Sequence, residues 1–370
     1  MVTKKISGIL LTLAVAIIGA YVLRLLHAPI PWLLGPMLAV AIMPHKVKQR
    51  FIWPTQIRNT GMIVVGYTIG LSMTAAALKE MARQLPYMLL MTVLLLLLCG
   101  LIAFVMSKMA KTDYRTALLA SVPGGMTQVL TLAEETKEIN LMVVTVTQVI
   151  RLMIIIASVP FLIFSPIFGE THAAASYAEL PAQASAWSGL TPSMIIYALV
   201  CIVCAIGGSR IKLPTAFLLG PVIGTAILHA AGLEAAALPP ILLQAAQLML
   251  GVYVGLMLKP EGMNGKVRIL VLAILSGFLL MLGAWGLSGI LTALESAISP
   301  STSLLSLAPG GSDQMGLLAH EINADLSIVT GYQLFRTFFI MFAIPPLLRL
   351  LFKYVPAPIQ EKGVAARPVD

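Results

Sequence analysis

The chain has 370 residues, 59% of them hydrophobic and 11% charged, with a mean hydropathy of +0.95. Soluble domains are about one-quarter charged, so these proportions exclude a water-soluble fold and leave an all-α polytopic membrane protein. The net charge of +9 does not imply nucleic acid, because no recognition helix or aromatic-basic patch accompanies it and basic loops between membrane spans have a simpler cause.

The apolar runs form two sets of six. The first occupies 6–23, 30–44, 57–78, 86–107, 115–134 and 139–166. The second occupies 192–208, 213–229, 239–258, 267–292, 302–320 and 324–350. Lys4 and Lys5 ahead of the first run look like the start of a signal peptide. That run is long for one, however, and no small-residue cleavage site follows, so it reads as a retained first span. In the second element of each set, Leu33-Leu-Gly-Pro36 and Leu218-Leu-Gly-Pro221 are expected to break a short helix. The fifth elements are interrupted at their centres by Pro123, Gly124 and Gly125 and by Pro309, Gly310 and Gly311. Proline removes a backbone donor and glycine adds freedom, so a continuous helix is not expected there. Each flanking arm of about eight residues makes roughly 12 Å of helix, well short of the roughly 20 residues that span a bilayer. A re-entrant hairpin fits better than a broken spanning helix.

The two sets are copies. At an offset of 185, Gly66 and Gly70 return as Gly251 and Gly255, Gln148 and Arg151 as Gln333 and Arg336, and Pro160 as Pro345. Leu118-Leu-Ala-Ser-Val-Pro-Gly-Gly-Met-Thr-Gln128 returns one residue further on as Leu304-Leu-Ser-Leu-Ala-Pro-Gly-Gly-Ser-Asp-Gln314. The organisation is therefore a membrane repeat over 1–167, an extracytoplasmic linker over 168–190 that lacks Lys and Arg, a second repeat over 191–352, and a cytoplasmic tail over 353–370.

Basic residues choose the topology. If the fifth elements dip in and return, with the N-terminus inside, nineteen Lys and Arg are cytoplasmic. Three lie outside (Arg24, Lys79, Arg83) and two within the membrane (Arg151, Arg336). If the fifth elements span, Lys137, Arg210, Lys212, Lys259, Lys266 and Arg268 move outside and the tally becomes thirteen against nine. The positive-inside rule favours the first arrangement. Each repeat then has five spans, an odd number, so the two repeats are inverted as in many secondary transporters. Both termini are expected to be cytoplasmic in a bacterial plasma membrane.

Candidate ligand-binding residues follow from these interruptions. Non-helical backbone at membrane depth is tolerated where it is buried in protein or lines a cavity. Freed amides there can hold an anion and freed carbonyls a cation. Gln128 and Gln314 follow the tips in both copies, and Asp313 in the second alone. The bland alternative is a kink satisfied by neighbouring helices. The three-residue spacing of Gln148 and Arg151, and of Gln333 and Arg336, sets each pair on one helical face. An arginine near mid-span must face protein or water. It would either receive an anionic substrate or pair with a carboxylate such as Glu134, Glu135, Asp313 or Glu321. The Gly-x-x-x-Gly pairs read as close helix contacts. Cys201 and Cys204, and the twenty methionines, read as packing. No His-x-x-x-His motif, nucleophile elbow or phosphate loop is present, so neither catalysis nor a cofactor or metal is expected.

The duplicated Leu-Leu-Gly-Pro, the two Pro-Gly-Gly segments and the Gln-x-x-Arg helices resemble the AbrB family of duplicated bacterial membrane proteins, over about residues 6–352. Members are labelled ammonia monooxygenases or AbrB-like regulators of gene expression, so the resemblance implies those two activities. The residues here offer neither clustered His ligands for copper nor a soluble regulatory domain. The expected function is secondary transport of a small, anionic metabolite or ion. The alternative is a membrane sensor acting indirectly on gene expression, and an oxygenase ranks last. Expected partners are the substrate and the lipid bilayer, without nucleic acid; a homodimer is an assembly the sequence leaves open.

Overall fold

The computed structural model describes residues 2–46, 51–110, 113–123, 129, 139–164, 193–233, 235–257 and 267–354. Among the described residues every regular element is a helix. The first half contributes α1 (Val2–Leu25), α2 (Pro31–Lys46), α3 (Thr55–Ser72), α4 (Ala75–Ala110), α5 (Tyr114–Ser121) and α6 (Leu141–Ile163). The second contributes α7 (Ser193–Arg210), α8 (Ala216–Ala230), α9 (Pro240–Met257), α10 (Val267–Leu294), α11 (Pro300–Leu307), α12 (Ser312–Glu321) and α13 (Leu326–Tyr354). Seven of these are long and apolar enough to cross a bilayer, and α2 and α8 are shorter apolar helices. Leu10, Ile18, Leu97, Leu101, Ile195, Val203 and Leu282 stand exposed on outward faces. Apolar surface on this scale is stable only against lipid, so the chain is a multi-pass membrane protein.

Two bundles divide the helices. One contains α1, α2 and α3 with their counterparts α7, α8 and α9; the other contains α4, α5, α6, α10, α11, α12 and α13. Within the first bundle, backbones touch at glycines. A methyl group on Gly66 would lie 2.6 Å from the Leu218 carbonyl oxygen, and one on Gly251 would collide with the Leu33 carbonyl. Gly70 meets Val222 and Thr225 of α8, and Gly255 meets Met37 of α2. The exchange is reciprocal: each half inserts its third helix against the second helix of the other. The second bundle shows the same exchange, α4 against α13 and α10 against α6. Even unusual backbone recurs: His27 and Ile30 have φ of 52° and 48°, and Lys212 and Thr215, 185 residues on, have 57° and 47°. Positive φ is rare for branched side chains such as Ile and Thr, and here it turns the chain into α2 and α8.

The bundles meet along a seam with little backbone contact, where α12 and α13 touch α3 and α9 touches α6. Side chains fill it. Met62, Val65 and Ile69 of α3 share one apolar core with Ile155 of α6, Leu304 of α11, Met315 of α12 and Val329 of α13.

Two sequence expectations are corrected. Leu-Leu-Gly-Pro does not break its helix: α2 and α8 run through it, with Pro36 and Pro221 each the sixth helical residue. A proline so near the N-terminus forgoes a single helical bond. The preceding glycines serve packing instead: Gly35 sits against the backbone of Gly19 and Ala20, and Gly220 against that of Cys204 and Ala205. The third and fourth elements also divide earlier than 57–78 and 86–107. Thr74 Oγ1 accepts from Ala77 N at 3.2 Å and starts α4 eleven residues before the expected position. Arg83 in that added stretch bonds Glu80 and Glu295, and Gln84 Oε1 accepts from the Tyr332 hydroxyl at 3.2 Å. Hydropathy missed this part of α4 because it is polar, with Arg83 exposed and reaching Glu295, and Gln84 buried against Tyr332.

Candidate functional site

Helices α11 and α12 form a hairpin against α13. Ser299 caps α11 by accepting from Thr302 N at 3.2 Å, and Pro300 occupies the first helical position, where its missing N–H costs nothing. The helix ends at Leu307. Ala308, Pro309, Gly310 and Gly311 form the turn, and α12 begins at Ser312. The hairpin starts and finishes at the same end of α13. Thr302 Oγ1 in the first turn of α11 accepts from Asp325 N at 3.2 Å. α12 ends at Glu321, a short turn away from that same aspartate, which caps α13 by accepting from Ser327 N and Ile328 N at 3.0 Å each. The tip reaches Arg336, ten residues into α13, or about 15 Å at 1.5 Å per residue.

At that depth the Gln-x-x-Arg pair holds the turn. Gln333 Nε2 donates to Leu305 O at 2.7 Å and to Ala308 O at 3.0 Å. Arg336 donates from Nη1 to Leu307 O at 3.1 Å, and from Nη2 to Ala308 O at 3.0 Å and to Gln333 Oε1. These are the carbonyls at the C-terminal end of α11, which have no partner within their own helix and carry the negative end of its dipole. The pair is a side-chain cap delivered from a neighbouring helix.

The first copy repeats the arrangement. Gln148 Nε2 donates to Leu119 O and Val122 O at 2.9 and 3.0 Å. Arg151 Nη1 donates to Ala120 O, Ser121 O and Val122 O at 3.2, 2.9 and 3.3 Å, and Nη2 to Gln148 Oε1. Asn140 N donates to Thr116 Oγ1 at 3.2 Å, matching Asp325 with Thr302. Pro123 follows Val122, the C-cap of α5. Gly124, Gly125 and Gln128 lie outside the described residues, as do Glu134, Glu135 and the linker. The structure thus brings Gln148 and Arg151 to the C-terminal end of α5, and Gln333 and Arg336 to the turn between α11 and α12. Sequence reading missed Thr116, Asn140, Thr302 and Asp325. Superposing the two halves of the sequence, Thr on Thr and Asn on Asp, was the signal that could have found them.

Both guanidiniums are buried, Arg151 5% and Arg336 4% exposed, and neither has a carboxylate partner among the described residues. Of the carboxylates considered from sequence, Glu321 accepts from Gln247 Nε2 at 2.5 Å across the seam. Asp313 accepts from Gln314 Nε2 at 2.9 Å in the first turn of α12. Carbonyl dipoles solvate the arginine cations without cancelling their charge, and among the described residues no carboxylate compensates either one. Among the described residues no group of three or more His, Cys, Asp or Glu side chains is placed to hold a metal.

This duplicated turn-and-cap lies within the part of the chain, residues 32–352, that matches the family model described as "Transition state regulatory protein AbrB". The chain belongs to the AbrB family. Among its relatives, "Uncharacterized protein YhjN" of Bacillus subtilis (strain 168) is 26% identical, the similarity covering 92% of each chain. "Putative regulator AbrB" of Escherichia coli (strain K12) is 24% identical, with 89% of this chain and 92% of that one covered. No solved structure matches the chain.

Proposed function

We propose that the protein is a secondary transporter, not an enzyme, and that it carries a small anionic metabolite across the bacterial plasma membrane. The observation that carries this reading is the pair of buried guanidiniums of Arg151 and Arg336, neither with a carboxylate partner among the described residues, each fixed at a helix C-terminus about halfway through the roughly 30 Å apolar core. An uncompensated cation in a low-dielectric region draws an anion to it. The bundle architecture supplies the motion. Glycine contacts lock backbones together inside the first bundle, whereas the seam is a contact of side chains. One bundle can therefore shift against the other and expose the turns alternately to the two faces.

On this reading the hairpins are re-entrant, each half crosses the membrane five times, and the two-fold relation lies in the membrane plane with both termini cytoplasmic. The regulator label of the Escherichia coli relative fits the same chemistry at one remove, through the level of the transported metabolite. The test is counterflow in proteoliposomes loaded with unlabelled acetate, succinate or phosphate and supplied with the same anion in labelled form. Exchange above protein-free liposomes is expected for at least one of the three. None for any, from protein with an intact melting transition, refutes the reading.

A further inference from the structure

Glu321 closes one end of the seam in a way that the anion reading leaves unused. It is the last residue of α12, and its carboxylate meets α9 of the opposite bundle through Gln247, which is 2% exposed. Gln247 Nε2 is the only donor this carboxylate has among the described residues, and no cation pairs with it there. Packing does not demand an amide at this position. At the offset of 185, the first half places Met62 where the second has Gln247, and Met62 lies in the apolar core of the seam.

Three features set the carboxylate against its own charge. It is partly buried beside that core, one neutral amide replaces the water it gives up, and the C-terminal end of the α12 dipole adds negative potential. The charged and titratable groups on the elements around it are engaged elsewhere. On α3 and α9, Arg58 stacks on Tyr253, and the Tyr67 hydroxyl donates to Ala236 O. On α13, the Tyr332 hydroxyl donates to Gln84 and Arg336 holds the turn, while Arg349 and Lys353 lie toward the far end. Asp325 caps α13, and α11 carries no charged residue. On α12 itself, Asp313 stands at the opposite end and His320 is exposed.

We propose that Glu321 is a proton-binding site that sets the seam. Protonated, it lies closed against Gln247; charged, it draws this end of the seam open toward water, where hydration replaces the single amide. A group that binds its proton more tightly in the closed form favours closure as pH falls and opening as pH rises. One carboxylate takes one proton, so one proton accompanies each closure and is the co-ion of the cycle. The co-ion role rests on the transport reading; the pH-set closure does not.

The experiment reads the labelling of Leu243→Cys in purified full-length protein with Cys99, Cys201 and Cys204 replaced. Leu243 is 6% exposed and lies one helical turn from Gln247 on the same face of α9. Its maleimide rate is divided by that of the exposed Ala237→Cys, which cancels the thiol's own titration. The ratio is followed from about pH 4 to about pH 9, a range that brackets an ordinary and a deeply buried glutamate. It should rise by about tenfold with pH, the change expected for a proton held tenfold more tightly in the closed seam. Glu321→Gln, the permanently neutral form, should label slowly at every pH. Gln247→Met, which removes the donor to the charged form, should move the transition to higher pH, and His320→Gln should leave it in place. A flat wild-type profile overturns the proposal, as does faster labelling at low pH or a wild-type profile in Glu321→Gln. If Glu321→Gln does not fold, the direction of the shift in Gln247→Met decides. Labelling set by pH without counterflow sinks the transport reading alone, and counterflow with a flat profile sinks this site alone.

Discussion

Replacing Arg336 by leucine tests whether the guanidinium holds the hairpin. The substitution removes three donated bonds, to Leu307 O, Ala308 O and Gln333 Oε1. Ala308 O keeps the Gln333 Nε2 donor at 3.0 Å, so two acceptors, Leu307 O and Gln333 Oε1, lose the only partner they have among the described residues. Each orphaned buried acceptor costs about 1–3 kcal/mol, and removing a desolvated cation returns part of that. The net loss is about 3 kcal/mol, borne locally by the α11–α12 turn. At 1.4 kcal/mol per tenfold, the open population rises by roughly 100-fold. Leu305, fully buried beneath the turn, reports the opening. A cysteine there, in a background with Cys99, Cys201 and Cys204 replaced, becomes reactive when the hairpin opens. Its labelling by a small maleimide should accelerate by about two orders of magnitude in Arg336→Leu. Arg336→Lys, which keeps the charge and part of the bonding, should fall in between. An acceleration below about threefold would mean that the carbonyl bonds add nothing beyond solvation, and the capping role would be withdrawn.

The glycine contacts and the topology give further expectations. Gly66→Ala and Gly251→Ala should each cost about 1–3 kcal/mol by overpacking, read as a lower melting midpoint. Gly286→Ala, with no atom within 4 Å of its added methyl, should be neutral; a neutral Gly251→Ala would undo the close-contact account. Single cysteines at Lys212 and Ala235 should label from inside and outside respectively, and the opposite pattern would rule out inverted repeats with hairpins that return.

The helical, membrane-spanning character of the chain was legible in its apolar runs. Pro309, Gly310 and Gly311 announce a break through their backbone chemistry alone, and a break is what stands between α11 and α12. The shared face of Gln333 and Arg336 follows from helical spacing. Their partners do not: Leu305 and Ala308 offer backbone carbonyls, which carry no residue signature, and they lie 25 to 28 residues away. Leu-Leu-Gly-Pro misled for a related reason. Gly35 and Gly220 look like breakers in isolation, and their purpose appears once the backbones of Gly19 and Cys204 arrive beside them. Residues 75–85 were overlooked because Arg83 and Gln84 look like loop residues until Glu295 and Tyr332 of the other half are in place.

The reciprocal insertion of α3 against α8 and of α9 against α2 orders events in time. The translated first half enters the membrane with Gly66 and Gly70 facing a place that only Leu218, Val222 and Thr225 can fill. At 5–20 residues per second, the ribosome delivers those residues on the order of ten seconds later. For that interval the groove is lined by lipid chains, and closure of the first bundle must expel them. Maturation of this protein is thus a late, post-insertional event: the halves interlock when the last turns of α9 have left the translocation channel, and a nascent chain that stalls earlier stays open.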